Sequence, residues 1–78
     1  MGSRAHGVIA SRRIALVWIE DALSYPTRIE VDQEDPALLH VLRPIPERGF
    51  RVLRVIYNET LDPLMVVTAY FDEEVKDL

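Results

Sequence analysis

Apolar positions recur at helical spacing early in the chain and alternate at strand spacing later. Ala15, Trp18, Ile19, Ala22 and Leu23 stand at i, i+3, i+4, i+7 and i+8, the stripe of an amphipathic helix. Pro26 ends this helix near Ser24-Tyr25, because the residue before a proline is pushed out of the α region. The helical reading runs over residues 4–24 and is weaker at Arg4–Ser11, where Gly7 costs about 1 kcal/mol against alanine. That first segment reads as a separate short helix or a frayed extension, with residues 1–10 the frayed part.

After Pro26 the period shortens to two. Thr27–Asp32 alternates as a short half-buried or edge strand, and Gln33-Glu34-Asp35-Pro36 is a polar turn. Leu38–Ile45 is a second strand, Pro46-Glu47-Arg48-Gly49 a tight turn, and Phe50–Tyr57 a third strand. Asn58–Pro63 is a longer turn before Leu64–Phe71, a fourth strand rich in β-formers. The expected fold is α+β: one or two N-terminal helices on a curved, mostly antiparallel sheet of three to four strands, in a single domain over residues 1–78 with an acidic tail at 72–78. The third and fourth strands are apolar on both alternating sets, which fits strands covered on both faces. A helix covers one face only, so the other face is expected to meet a partner, another element or a ligand.

Turn lengths set an expected register. A four-residue turn pairs Ile45 with Phe50 and Arg43 with Val52, and a symmetric second loop pairs Tyr57 with Leu64 and Arg51 with Tyr70. One face then gathers His40, Arg51, Thr68 and Tyr70, with Tyr57 nearby, and Arg54 lies on the other. A one-residue slip exchanges partners between faces.

Charge changes the picture less by its total than by its distribution. The net is −4, from nine basic and thirteen acidic residues. Residues 29–37 carry four acids and no base, and residues 38–54 carry Arg43, Arg48, Arg51 and Arg54 against Glu47 alone. General nucleic-acid binding needs a basic surface, so only a local convergence of arginines would serve it. With no cysteine, disulfides, thiol catalysis and thiolate metal sites are excluded. Two histidines are too few for a structural zinc site, and Asp32-Gln33-Glu34-Asp35 lacks the alternating ligands and glycine of a calcium loop. No cofactor or metal is expected. No apolar run reaches the roughly 18 residues of a membrane span, and Arg12-Arg13 interrupt any signal-like stretch, so the expected location is cytoplasmic.

Histidine, arginine and tyrosine on one face suit metal-independent RNA cleavage. A base takes the 2′-hydroxyl proton, an acid protonates the leaving oxygen, and a guanidinium stabilises the charged transition state. On that face His40, Arg51 and Tyr70 are the candidates, with His6 a second base or part of a basic rim. The competing structural reading pairs each arginine with a nearby acid and packs each tyrosine ring. Asp72-Glu73-Glu74 reads as a solubilising tail, and Trp18 and Phe71 as core.

The segment from His40 through Leu42-Arg43-Pro44 and Arg51-Val52-Leu53-Arg54-Val55-Ile56-Tyr57, then Met65-Val-Val-Thr-Ala-Tyr-Phe-Asp72, resembles a family of small uncharacterised bacterial proteins grouped with the RelE/ParE-like toxin superfamily. Trp18-Ile19-Glu20 through Pro26 fits the same pattern. The resemblance implies helices packed on a curved antiparallel sheet whose concave face binds and cuts RNA on the ribosome. It places functional side chains at Arg54, Thr68 and Tyr70, and a helix histidine at His6, although His6 stands closer to Ile14 than the family spacing. It also implies an antitoxin partner, whereas such toxins are typically basic and this chain is acidic. Two functions follow as expectations. One is a toxin component acting as an endoribonuclease or translation inhibitor. The other is a non-catalytic protein-interaction module or homodimer of the same fold.

Overall fold

The computed structural model describes residues 14–75 and residue 78. Helix α1 spans Leu16–Ser24 and is followed by β1 (Arg28–Val31), β2 (Leu38–Ile45), a short 3-10 turn at Pro46–Arg48, β3 (Arg51–Asn58) and β4 (Met65–Phe71). The strands form one antiparallel sheet in the order β1-β2-β3-β4, so each strand pairs with its sequence neighbours. This is the expected α+β arrangement, with four strands and one helix among the described residues. The helical reading of residues 4–13 falls outside them.

The helix carries no side-chain N-cap at Ala15; tertiary packing holds it, as is usual for a helix this short. Ile19 and Ala22 are buried, and Trp18 and Leu23 pack at the margin, which is the predicted stripe. At its end the Tyr25 N–H bonds to the Asp21 carbonyl at 2.8 Å, and Arg43 Nη1 donates to the Tyr25 carbonyl at 2.9 Å. A strand arginine thus satisfies a helix C-terminal carbonyl and ties α1 to β2.

The core lies between α1 and the two central strands. Ile14, Ile19, Ala22, Val41, Ile45, Leu53, Val55 and Ala69 form it, and Tyr57, Val66 and Phe71 pack against it. Trp18 and Phe71 meet edge to face at 6.1 Å, a favoured aromatic geometry. Leu42 is fully buried but belongs to the opposite face, between Arg28 and Arg54 in the register.

The register differs from expectation by one residue at the β2–β3 turn. Ile45 pairs with Arg51, not Phe50, and Arg43 with Leu53. Phe50 belongs to the turn: its N–H bonds to the Ile45 carbonyl at 2.9 Å, and its φ of 63° follows Gly49 at 67°. Turn chemistry at Pro46 and Gly49 was legible, but a phenylalanine in the left-handed region is not a normal choice. On β4 the register runs two residues past expectation at the loop, where Tyr57 pairs with Val66 and not Leu64, and one more at the irregularity between Ile56 and Tyr57, where Ile56 pairs with Thr68 and Val67 is the extra residue. The first shift puts Leu53, Val55 and Arg51 on the helix side, and the odd total shift on β4 keeps Thr68 and Tyr70 on the face of His40. Arg54 and Ile56 move to the open face with His40, Thr68 and Tyr70.

The Phe50 backbone makes a stability ordering testable. Phe50 is exposed, so its replacement loses little burial, and relief of the left-handed conformation is partly offset by the unfolded-state freedom of glycine. Phe50→Gly is expected to raise stability by about 0.5 kcal/mol and Phe50→Val to lower it by about 1 kcal/mol. Urea midpoints check this; a valine variant as stable as the glycine one would contradict it.

Candidate functional site

Antiparallel pairing brings Glu30 opposite His40, His40 opposite Ile56, and Ile56 opposite Thr68. One step along, Arg28, Leu42, Arg54 and Tyr70 stand in a row across the four strands. Period-two alternation therefore collects His40, Arg54, Thr68 and Tyr70 on the face opposite the helix. Of the candidates, Arg51 is absent from this group. It sits on the helix side, its guanidinium 4.6 Å from the Phe71 ring centroid and bonded to Glu73 through Nε and Nη2. His6 lies outside the described residues.

Arg54 organises the site. Its side chain is 13% exposed. Nε donates to Asp72 Oδ2 at 2.8 Å, and Nη1 approaches Glu30 Oε1 at 3.2 Å and His40 Nδ1 at 2.8 Å. A guanidinium only donates, so Nδ1 of His40 accepts, and the ring proton sits on Nε2. That proton goes to Asp32 Oδ1 at 2.7 Å. The chain Asp32–His40–Arg54–Asp72 is thereby fixed in direction, with a neutral imidazole at its centre and both ring nitrogens engaged. Asp32 is itself held by the loop it opens: its Oδ2 accepts the N–H groups of Glu34 and Asp35 at 3.1 and 3.0 Å, an Asx turn.

The acids were the residues missed as partners. Asp72 and Glu73, read as a solubilising tail, bind the two arginines of β3. Glu30 and Asp32, read only as strand and turn polarity, reach Arg54 and His40. The available signal was the strand alternation of Glu30 and Asp32, which places both on the face that β2 shares with His40.

Carboxylate pKa values follow these contacts. Glu30 is lowered chiefly by its hydrogen bond to Arg54, against a burial effect that raises it. Asp32 is lowered chiefly by its hydrogen bond to His40. Asp72 is lowered first by the Glu74 backbone N–H and then by Arg54. Burial opposes the charge on Arg54, but Asp72 and Glu30 outweigh it and its pKa is raised.

An open cleft of about 380 Å³ adjoins this network, lined by Glu30, Asp32, Glu34, His40 and Arg54 among others. Its three carboxylates face one guanidinium, so its field is negative. No group of three or more His, Asp or Glu side chains among the described residues has metal-binding geometry. No described helix is long and apolar enough to cross a membrane.

Comparison with known families adds one finding. The chain belongs to the family described as domain of unknown function DUF4258, which matches residues 5–71. No curated protein and no solved structure matches it. Membership in DUF4258 brings no activity with it, and none of these comparisons links the chain to the RelE/ParE-like superfamily.

The lowered carboxylates give a pH dependence. A group with a depressed folded pKa contributes stability above its unfolded value and loses it as pH falls through the folded one. Glu30 and Asp72 start from ordinary values of 4.5 and 3.8, so their contribution is present at neutral pH and lost in acid below those values. Arg54→Met, which removes the shared guanidinium, is expected to cost about 2 kcal/mol at pH 7 and progressively less below about pH 4. Urea unfolding of both proteins across this range checks it; a gap constant with pH would contradict the assignment.

Proposed function

We propose that this domain acts by binding a protein partner and does not cut RNA. The observation carrying this reading is the engagement of Arg54 by Asp72 and Glu30, with His40 against its Nη1. The guanidinium that would stabilise a phosphorane is neutralised by carboxylates of the same chain. A phosphate entering the adjoining cleft would meet Glu30, Asp32 and Glu34, and carboxylates repel it at a distance where a nucleic-acid site needs cations. Exposed Ile29, Val31, Met65 and Val67 on the two edge strands, together with Leu61 and Leu64, provide apolar surface of the kind that protein partners cover.

A second reading keeps one specific observation in its favour. His40, Arg54 and Tyr70 share a face, and Asp32 holds the His40 ring at 2.7 Å, as a carboxylate orients a catalytic imidazole. On that reading the domain is a RelE/ParE-like toxin component with metal-independent endoribonuclease activity, the protein partner is its antitoxin, and RNA binding must first displace Arg54 from its acids.

Cell-free translation with the purified protein separates the two. The binding reading predicts intact messenger RNA on a gel and no inhibition at high protein concentration. Messenger cleavage, lost in Arg54→Met or Tyr70→Phe while both variants remain folded, would overturn it and establish the ribonuclease.

A further inference from the structure

The β1 edge carries a self-complementary pattern. β1 reads Arg28-Ile29-Glu30-Val31 and is the first strand of the sheet, so its outer side faces no strand among the described residues. The Asp32 N–H bonds to the carbonyl of Leu38, its counterpart in the continued register, at 3.0 Å. In an antiparallel ladder inward and outward backbone groups alternate. Glu30 and Arg28 therefore turn theirs toward β2, and Ile29 and Val31 turn theirs outward. Ile29 and Val31 are 56% and 60% exposed, and both lie on the helix side of the sheet, opposite Val41 and Leu39.

We infer that β1 is a homodimer edge, pairing antiparallel with β1 of a second copy about a two-fold axis at Ile29. The inference rests on the protein-binding reading and names the partner. Charge selects the register. Within one chain Arg28 Nη1 meets Glu30 Oε2 at 3.4 Å and Arg54 Nη1 meets Glu30 Oε1 at 3.2 Å; centring on Ile29 adds to these the partner's Glu30 opposite Arg28 and the partner's Arg28 opposite Glu30, so attraction acts at both ends of the pair. Centring on Glu30 instead sets two carboxylates face to face at the axis, which is destabilising, and sets Arg28 opposite the partner's Asp32, a carboxylate already engaged by His40 and by its own loop. The favoured register also makes Ile29 and the partner's Ile29 a hydrogen-bonded pair, using the outward backbone groups of both, and stacks their exposed side chains on the helix side. The two sheets become one continuous sheet of eight strands, twice the four of one chain. The far edge is less suited to this. Met65–Phe71 carries no charge to set a register, and the extra residue at Val67 breaks its ladder.

Sedimentation of the full chain at concentrations up to about 200 µM tests this. Wild type is expected to show a concentration-dependent dimer that weakens as salt rises, because paired Arg28 and Glu30 charges are screened. Ile29→Pro removes the outward N–H at an edge position where proline is tolerated, and Arg28→Glu sets two carboxylates across the axis. Each is expected to raise the dimer dissociation constant at least about tenfold, with far-UV circular dichroism unchanged. Met65→Lys on the opposite edge is expected to leave it unchanged. A wild type that stays monomeric, or a dimer unaffected by both β1 variants, would overturn the inference. Binding of a different protein with β1 intact and unpaired would sustain the protein-binding reading while this inference fails, so the two fail separately.

Discussion

Arg54 is a charged side chain held mostly out of water on the open face of a small sheet. A guanidinium in that position is tolerated only where acceptors surround it, since an unpaired buried charge costs several kcal/mol. The chain supplies acceptors from three separate places: Glu30 on β1, His40 on β2 and Asp72 just after β4. Each requires its own strand pairing to be in register. The network therefore records the whole order β1-β2-β3-β4, and slipping any one strand by a residue would turn its contributor to the other face. The core beneath supplies most of the stability, as in any small domain; the network supplies specificity of register on the face that the core does not reach.

That arrangement decides what the face can do. Glu30, Asp32 and Asp72 lie near Arg28 and Arg54, and His40 gives its ring proton to Asp32 and takes a hydrogen bond from Arg54. Such a site is internally satisfied, and none of its buried side-chain polar atoms lacks a partner among the described residues. On the proposed protein-binding reading, the capacity for interaction lies at the margins, in strand edges that face no strand among the described residues and in the exposed apolar side chains along them.

Much of the fold was legible because its elements obey simple periods. The Ala15–Leu23 stripe, the stop at Pro26 and the bounds of β2 over Leu38–Ile45 follow from spacing and proline alone. The grouping of His40 with Thr68 and Tyr70 was expected from two pairings, each off by an odd number of residues, and it holds because the two errors cancel. The place of β3 was not legible, because it depends on a phenylalanine with positive φ at Phe50, and the place of β4 depends on an extra residue at Val67. Neither leaves a signal in hydrophobic alternation, since β3 is apolar on both sets and fits either face. Exchanging those faces brought Arg54, not Arg51, to His40. The acids that complete the site were assigned to turns and tail because side-chain partners distant in sequence, such as Arg54 and Asp72, have no local signature.

The central claim is that Arg54 and Asp72 act as one structural unit. A double-mutant cycle with Arg54→Met and Asp72→Asn, followed by urea unfolding at neutral pH, tests it most directly. The two side chains are 13% and 15% exposed and meet at 2.8 Å, so a coupling energy of about 1–3 kcal/mol is predicted. Additive effects of the two substitutions, within about 0.3 kcal/mol, would contradict the account and return Arg54 to the role of a guanidinium available to an outside phosphate.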